Sequence, residues 1–160
     1  MIKVVLGLGS NKGDSHYILR CALEKLNSIF TEFRTASVYR TKPMHIETQP
    51  DFYNTACTGK TNETPLSLLE KIHIIETEYG RDRAREQRWG QRCLDIDILW
   101  VEGLILNEPE LEIPHPRLAE RRFALEPLLE LEPDAQDPVS LEPYHKICSR
   151  LEGQGVKKLN

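Results

Sequence analysis

Residues 34–60 read RTASVYRTKPMHIETQPDFYNTACTGK. Two β-prone runs follow one another here. Arg34 to Arg40 is rich in Thr, Val and Tyr. Asp51 to Lys60 alternates Phe52, Asn54, Ala56 and Thr58 with Tyr53, Thr55 and Cys57, the period-2 pattern of a strand. Between them Thr41 to Pro50 has no period and carries Pro43 and Pro50, so it predicts a loop. Two strands without a helix between them break the alternating order of a doubly wound sheet.

Upstream, residues 2–8, IKVVLGL, form a β-branched, apolar run ended by Gly9-Ser10-Asn11, which predicts a buried strand. From Asp14 the pattern turns helical: Leu19, Ala22, Leu23, Leu26 and Phe30 follow 3.6-residue spacing, with Asp14 or Ser15 as the cap. Downstream, Thr64-Pro65 opens a second helix, because a hydroxyl cap precedes proline at the first helical position. Leu68, Leu69, Ile72, Ile75 and Tyr79 supply its buried stripe and Gly80 its stop. Leu94 to Val101 predict a fourth strand. The order β-α-β-β-α-β predicts an α+β, ferredoxin-like core with helices flanking its sheet. Beyond it lie seven of the ten prolines, which predict a C-terminal extension of short helices and a hairpin on the same core. The 160 residues are expected to form a single domain, 1–160.

Charge narrows the function. The chain is 39% hydrophobic and 29% charged with a net charge of -4, which disfavours a general nucleic-acid coat. No apolar run approaches the ~20 residues of a membrane span. The glycine- and charge-broken N-terminus is no signal-peptide core, so the chain is expected in the cytoplasm. Cys21, Cys57, Cys93 and Cys148 stand far apart with no CxxC pair, so reduced, packed thiols are expected and a structural zinc site is not. The charge is also uneven. Residues 81–92, RDRAREQRWGQR, hold five of the twelve arginines and two acids, while residues 102–152 hold twelve acids and five bases. Arginine without lysine suits planar, bidentate contact with phosphate; the alternative is an exposed, salt-bridged face.

The sharpest local feature is Asp95-Ile96-Asp97-Ile98. Strand alternation sets both carboxylates on one face, their backbones about 6 to 7 Å apart, with Leu94, Ile96 and Ile98 on the other. Such a pair is hydrated, paired or bound to a cation. Mg²⁺ suits it, since this ion takes a few carboxylate oxygens and completes its octahedron with water and phosphate; an edge strand paired with arginines is the alternative. Arg92, three residues before Asp95, brings a guanidinium to the same strand entrance. Cations and metal-binding acids at one mouth are what a polyphosphate needs.

Other signals are weaker. GLGSNKG has its glycines at 7, 9 and 13, not at dinucleotide-fingerprint spacing, so these glycines are expected to serve a strand-to-helix turn. No GxxxxGK[ST] occurs, which argues against a P-loop enzyme. His73 and Glu76, three apart on one helix, read as a surface contact. His115 between Pro114 and Pro116 reads, taken alone, as structural. A non-catalytic small-molecule sensor would not need the Asp95–Asp97 pair beside Arg92. An RNA-binding module would be repelled by it.

Gly9-Ser10-Asn11, Tyr39-Arg40-Thr41, Gln49-Pro50-Asp51-Phe52-Tyr53-Asn54, Arg88-Trp89-Gly90-Gln91-Arg92, Asp95-Ile96-Asp97, Pro114-His115 and Arg121 with Phe123 occur in one order over residues 1 to about 130. Together they closely resemble the 6-hydroxymethyl-7,8-dihydropterin pyrophosphokinase family of folate biosynthesis. The resemblance implies an ATP-dependent diphosphotransferase that moves pyrophosphate to the pterin hydroxymethyl group and releases AMP, with two Mg²⁺ ions. It implies metal ligands at Asp95 and Asp97, and charge neutralisation in catalysis by Arg81, Arg83 and Arg92. It implies ATP contacts from His73, Glu76, Arg88, Arg92, Ile98, His115 and Arg121. The pterin would stack between Phe52 and Phe123, be read by Asn54, Thr41 and Met44, and be covered by Trp89. The implied partners are ATP and the reduced hydroxymethylpterin, with neither nucleic acid nor membrane, and the expected state is a monomer. Lys42 and Gln91 stand where the family frequently carries proline.

Overall fold

Strand β1 (Ile2–Ser10) is apolar on both faces, and the computed structural model, which describes residues 1–43, 48–80 and 93–159, sets it between two partners. It pairs antiparallel with β4 (Phe52–Thr61) on one side and with β5 (Asp95–Val101) on the other. The sheet runs β5-β1-β4-β3-β8, where β3 is Tyr39–Thr41 and β8 is Val156–Lys158, and β2 (Thr31–Thr35) also pairs with β4. Val4, Leu6 and Leu8 enter one core cluster and Val5 the other. Both faces of the sheet are therefore covered, as a strand apolar on both sides requires.

Helices α1 (Ser15–Asn27) and α2 (Pro65–Glu78) cover the Val4–Leu6–Leu8 face with Leu19, Ala22, Leu26, Leu68 and Ile72. Their starts are the ones the caps predict. Asp14 accepts the Tyr17 N–H at 3.2 Å, and the Thr64 hydroxyl accepts the Ser67 N–H at 3.2 Å. Gly80, at φ +80°, takes the left-handed turn that follows α2. The opposite face packs against α3 (Arg122–Leu131) and α4 (Tyr144–Ser149) through Leu125, Leu128 and Ile147. A hairpin of β6 (Leu106–Asn107) and β7 (Glu112–Ile113) lies between β5 and α3 in sequence.

Three expectations change. The strand expected at 34–40 is two strands, because the backbone between β2 and β3 leaves the ladder: Ser37 N–H and its hydroxyl turn to Glu130 on α3, at 2.9 and 3.2 Å. The C-terminal extension contributes β8 to the main sheet, beside β3, in addition to its helices and hairpin. Gly7 and Gly9 lie inside β1, and the turn falls at Gly13, φ +78°. A Cβ on Gly7 would stand 2.9 Å from Leu99 Cδ1, and one on Gly9 2.9 Å from Asn54 Oδ1. These strand glycines serve close approach, not turning.

Candidate active site

Strand β5 is an edge of the sheet, and its alternation divides its residues by chemistry. Ile96 and Ile98 enter the core under α1 and α2. Asp95 and Asp97 point to the α3 face and stay half-buried. Across the ladder Asp95 stands opposite Gly9 and Asp97 opposite Gly7, while on the far side of β1 Gly9 faces Asn54. Adjacent strands lie about 4.8 Å apart, so Asn54 sits roughly 10 Å from Asp95 with no side chain between them. Asn54 Nδ2 donates to Thr41 Oγ1 at 3.3 Å, and Phe52 shares this face of β4 two residues away. Phe123, at the first turn of α3, and Thr41 line one cavity of about 590 Å³ with Lys42 and Val156.

The loop after β7 docks on the outer edge of β5, where His115 N–H bonds the Leu99 carbonyl at 2.9 Å. His115 Nδ1 accepts the Arg117 N–H at 3.1 Å, which leaves Nε2 as the protonated nitrogen, 4.0 Å from Asp97 Oδ1. Burial, with the Arg121 charge behind it, pushes the His115 pKa down to about 4; Asp95 opposes this and Arg117 adds to it. The ring is thus a neutral donor near neutral pH, aimed at the carboxylate pair. Burial also lowers the Arg121 pKa, with Asp97 opposing. The Arg121 guanidinium carbon lies 5.6 Å from the Phe123 ring centroid, within cation–π reach.

On the α2 side the surface-contact reading of His73 and Glu76 is corrected. Glu76 is 1% exposed and its Oε2 accepts the Ile96 N–H at 2.8 Å, clamping α2 to the open edge of β5. His73 is exposed, and its carbonyl accepts the Thr77 hydroxyl at 2.9 Å. The Ile98 side chain is buried in the core, so it can meet a ligand only through its main chain. The alternation that turns Ile96 N–H outward to Glu76 turns the Ile98 amide to the same edge.

Asn11 and Gln49 have a role that their motifs did not disclose. Asn11 Nδ2 donates to Gln49 Oε1 at 2.8 Å and to the Pro50 carbonyl at 3.1 Å, and both side chains are buried. The end of β1 thereby holds the chain entering Phe52. The available signal was an asparagine directly after an apolar strand, which is costly there unless paired.

Met44, Arg81, Arg83, Arg88, Trp89 and Arg92, all expected at this site, lie outside the described residues. Among the described residues no group of three or more His, Cys, Asp and Glu could hold a metal ion. The two carboxylates fit a hard cation that completes its shell with water and phosphate oxygens, and do not fit an all-protein cage. Among the thiols, burial pushes Cys57 up and Cys148 up to about 12, so neither is a nucleophile. No helix of the described residues is long and apolar enough to cross a membrane.

Known proteins resemble this chain at two levels, in fold and in sequence. An HPPK-DHPS chain of Plasmodium falciparum has the same fold, with a TM-score of 0.73 and 16% identity, covering 93% of this chain and 44% of that one. The chain is 40% identical to 2-amino-4-hydroxy-6-hydroxymethyldihydropteridine pyrophosphokinase of Aquifex aeolicus over 92% of its own length and 91% of the relative's. It is 38% identical to the enzyme of that name from Methylorubrum extorquens, over 99% of both. Against the folic acid synthesis protein fol1 of Pneumocystis carinii it is 38% identical and spans 18% of that protein's length; against fol1 of Schizosaccharomyces pombe it spans 21%. Residues 5–133 match the family described as 7,8-dihydro-6-hydroxymethylpterin-pyrophosphokinase (HPPK), and the chain belongs to that family.

Proposed function

We propose that this chain transfers pyrophosphate from ATP to 6-hydroxymethyl-7,8-dihydropterin in folate synthesis. The hydroxymethyl oxygen attacks the β-phosphorus, the bond from that phosphorus to the α-phosphate oxygen breaks, AMP leaves, and the hydroxyl proton passes to solvent. The observation that carries this reading is the pairing, on one sheet face, of the Asp95–Asp97 carboxylates with Asn54 across the bare surface of Gly9. A gap of roughly 10 Å suits a flat ring at one end and a triphosphate at the other.

In this reading Asp95 and Asp97 hold two Mg²⁺ ions, which when bound neutralise the triphosphate and fix its geometry. His115 donates from Nε2 to a phosphate oxygen, and Arg121 adds a partly buried cation. Glu76 keeps the β5 edge in place so that the Ile98 main chain can meet the adenine, with His73 at its margin. Thr41 and Asn54 read the pterin edge while Phe52 and Phe123 stack on its faces. Arg81, Arg83, Arg88, Arg92, Trp89 and Met44 complete the site through the family resemblance. Positioning and electrostatics carry most of the rate, because phosphoryl transfer asks little covalent chemistry of the protein.

The strand order β5-β1-β4 with β2 and β3 on the far side of β4 supports the ferredoxin-like description of the core. The reading has the chain act as a monomer in the cytoplasm.

The test is AMP production from ATP, Mg²⁺ and the dihydropterin by the intact chain. Asp95→Asn and Asp97→Asn should each lower kcat by at least about a thousandfold with little change in Tm, since both side chains are half-exposed. Near-normal AMP formation by either variant removes the carboxylate assignment.

A further inference from the structure

Helix α3 has no cap of its own: Arg121 occupies the N-cap position without a side-chain bond to the helix. The missing acceptor comes from 32 residues downstream, where Gln154 Oε1 accepts the Arg122 N–H at 2.9 Å. The same amide donates from Nε2 to the Glu120 carbonyl at 2.8 Å. One side chain therefore grips the backbone on both sides of Arg121, two residues before Phe123. The Arg122 guanidinium returns the contact, donating to the carbonyls of Gln154 at 2.7 Å and Glu152 at 3.3 Å.

The segment then enters β8, where Val156 stands directly opposite Thr41. Gln154, Gly155 and Val156 also line the cavity of about 590 Å³ that Thr41 and Phe123 share. All three lie beyond the family match, which ends at residue 133. One short segment is thus tied by its side chain to the helix that carries Phe123 and by its backbone ladder to the strand that carries Thr41.

We infer that Gln154–Val156 is a positioning element of the pterin pocket, with Gln154 the positioning residue that sets Arg121 and Phe123 against Thr41. This rests on the proposed roles of Thr41 and Phe123. The reason is mechanical. An uncapped helix start frays, and a stacking ring displaced by about 1 Å loses much of its positioning value.

Two variants of the full chain test it. Gln154→Met keeps the bulk and removes both hydrogen bonds; Gln154→Glu keeps the acceptor for Arg122 N–H and removes the donor. Binding of 6-hydroxymethyl-7,8-dihydropterin is measured by calorimetry with Mg²⁺ and a non-hydrolysable ATP analogue, well below each variant's Tm. The expected result is about tenfold weaker pterin binding for Gln154→Met and roughly threefold for Gln154→Glu. A lowered Tm with unchanged pterin affinity means a merely structural role and overturns the inference. If Gln154→Met fails to fold, Gln154→Glu decides by the same criterion. Wild-type chain that neither binds the pterin nor forms AMP removes the functional reading, and the inference falls with it; wild type that does both leaves the inference to the variants alone.

Discussion

At Gly9 an added methyl group would stand 2.9 Å from Asn54 Oδ1, the free end of a side chain, so the clash resolves by turning Asn54 aside. At Gly7 the same methyl would meet three atoms of Leu99, at 2.9, 3.1 and 3.2 Å, and Leu99 is packed in the core under α3. The two variants should therefore fail differently. Gly9→Ala is expected to raise KM for the dihydropterin about tenfold with Tm nearly unchanged. Gly7→Ala is expected to cost about 1–3 kcal/mol in stability by overpacking, with the smaller effect on pterin KM. Chemical denaturation beside steady-state kinetics checks both, and matching profiles for the two variants would contradict this division of labour. The Asp95–Asp97 pair was legible from sequence because two charges in an apolar strand have few physical solutions. The strand glycines were not, because glycine at the end of a strand reads as a turn and their neighbours, Asn54 and Leu99, are distant in sequence. Glu76 was misread for a related reason: helix spacing shows which residues share a face, but not that a β-edge amide waits opposite one of them.

Helix α3 is fastened to the far edge of the sheet through Glu130. That carboxylate accepts from the Tyr39 hydroxyl at 2.7 Å and from Ser37 N–H at 2.9 Å, and pairs with Lys158 at 3.6 Å. Burial alone would raise the Glu130 pKa, but the bonds from Tyr39 and Ser37, with Lys158, hold it below the usual carboxylate value of 4.5. A depressed carboxylate stabilises the fold above its unfolded pKa, and that contribution is lost as pH falls through the folded value. Glu130→Gln should accordingly be less stable than wild type at pH 7, with a gap that narrows below about pH 4.5; a gap independent of pH would remove the ionic account of this junction. Helices α1 and α2 were legible because Asp14 and Thr64-Pro65 are local signals. The division of residues 34–40 into β2 and β3, and the return of β8 to the sheet, depend on α3 and β3, which lie far away along the chain. A strand of three residues, Val156–Lys158, has too little pattern to announce itself.

Across the whole molecule the net charge of -4 conceals a division of labour. Several acids of the C-terminal part are engaged within the fold: Glu126 with Arg122, Glu130 with Lys158, Glu132 with Lys3 and Arg34, and Glu142 with Arg150. Asp95 and Asp97 instead face the half-buried ring of His115 and the guanidinium of Arg121, on the face that also carries Asn54. In the proposed reaction this face moves two phosphates together. The most direct measurement uses ATP labelled in its γ-phosphate, with Mg²⁺ and the dihydropterin, and follows the label. The expected products are unlabelled AMP and a pterin diphosphate that carries the label in its outer phosphate. ADP with a singly phosphorylated pterin, or label released as inorganic phosphate with no pterin ester, would contradict it.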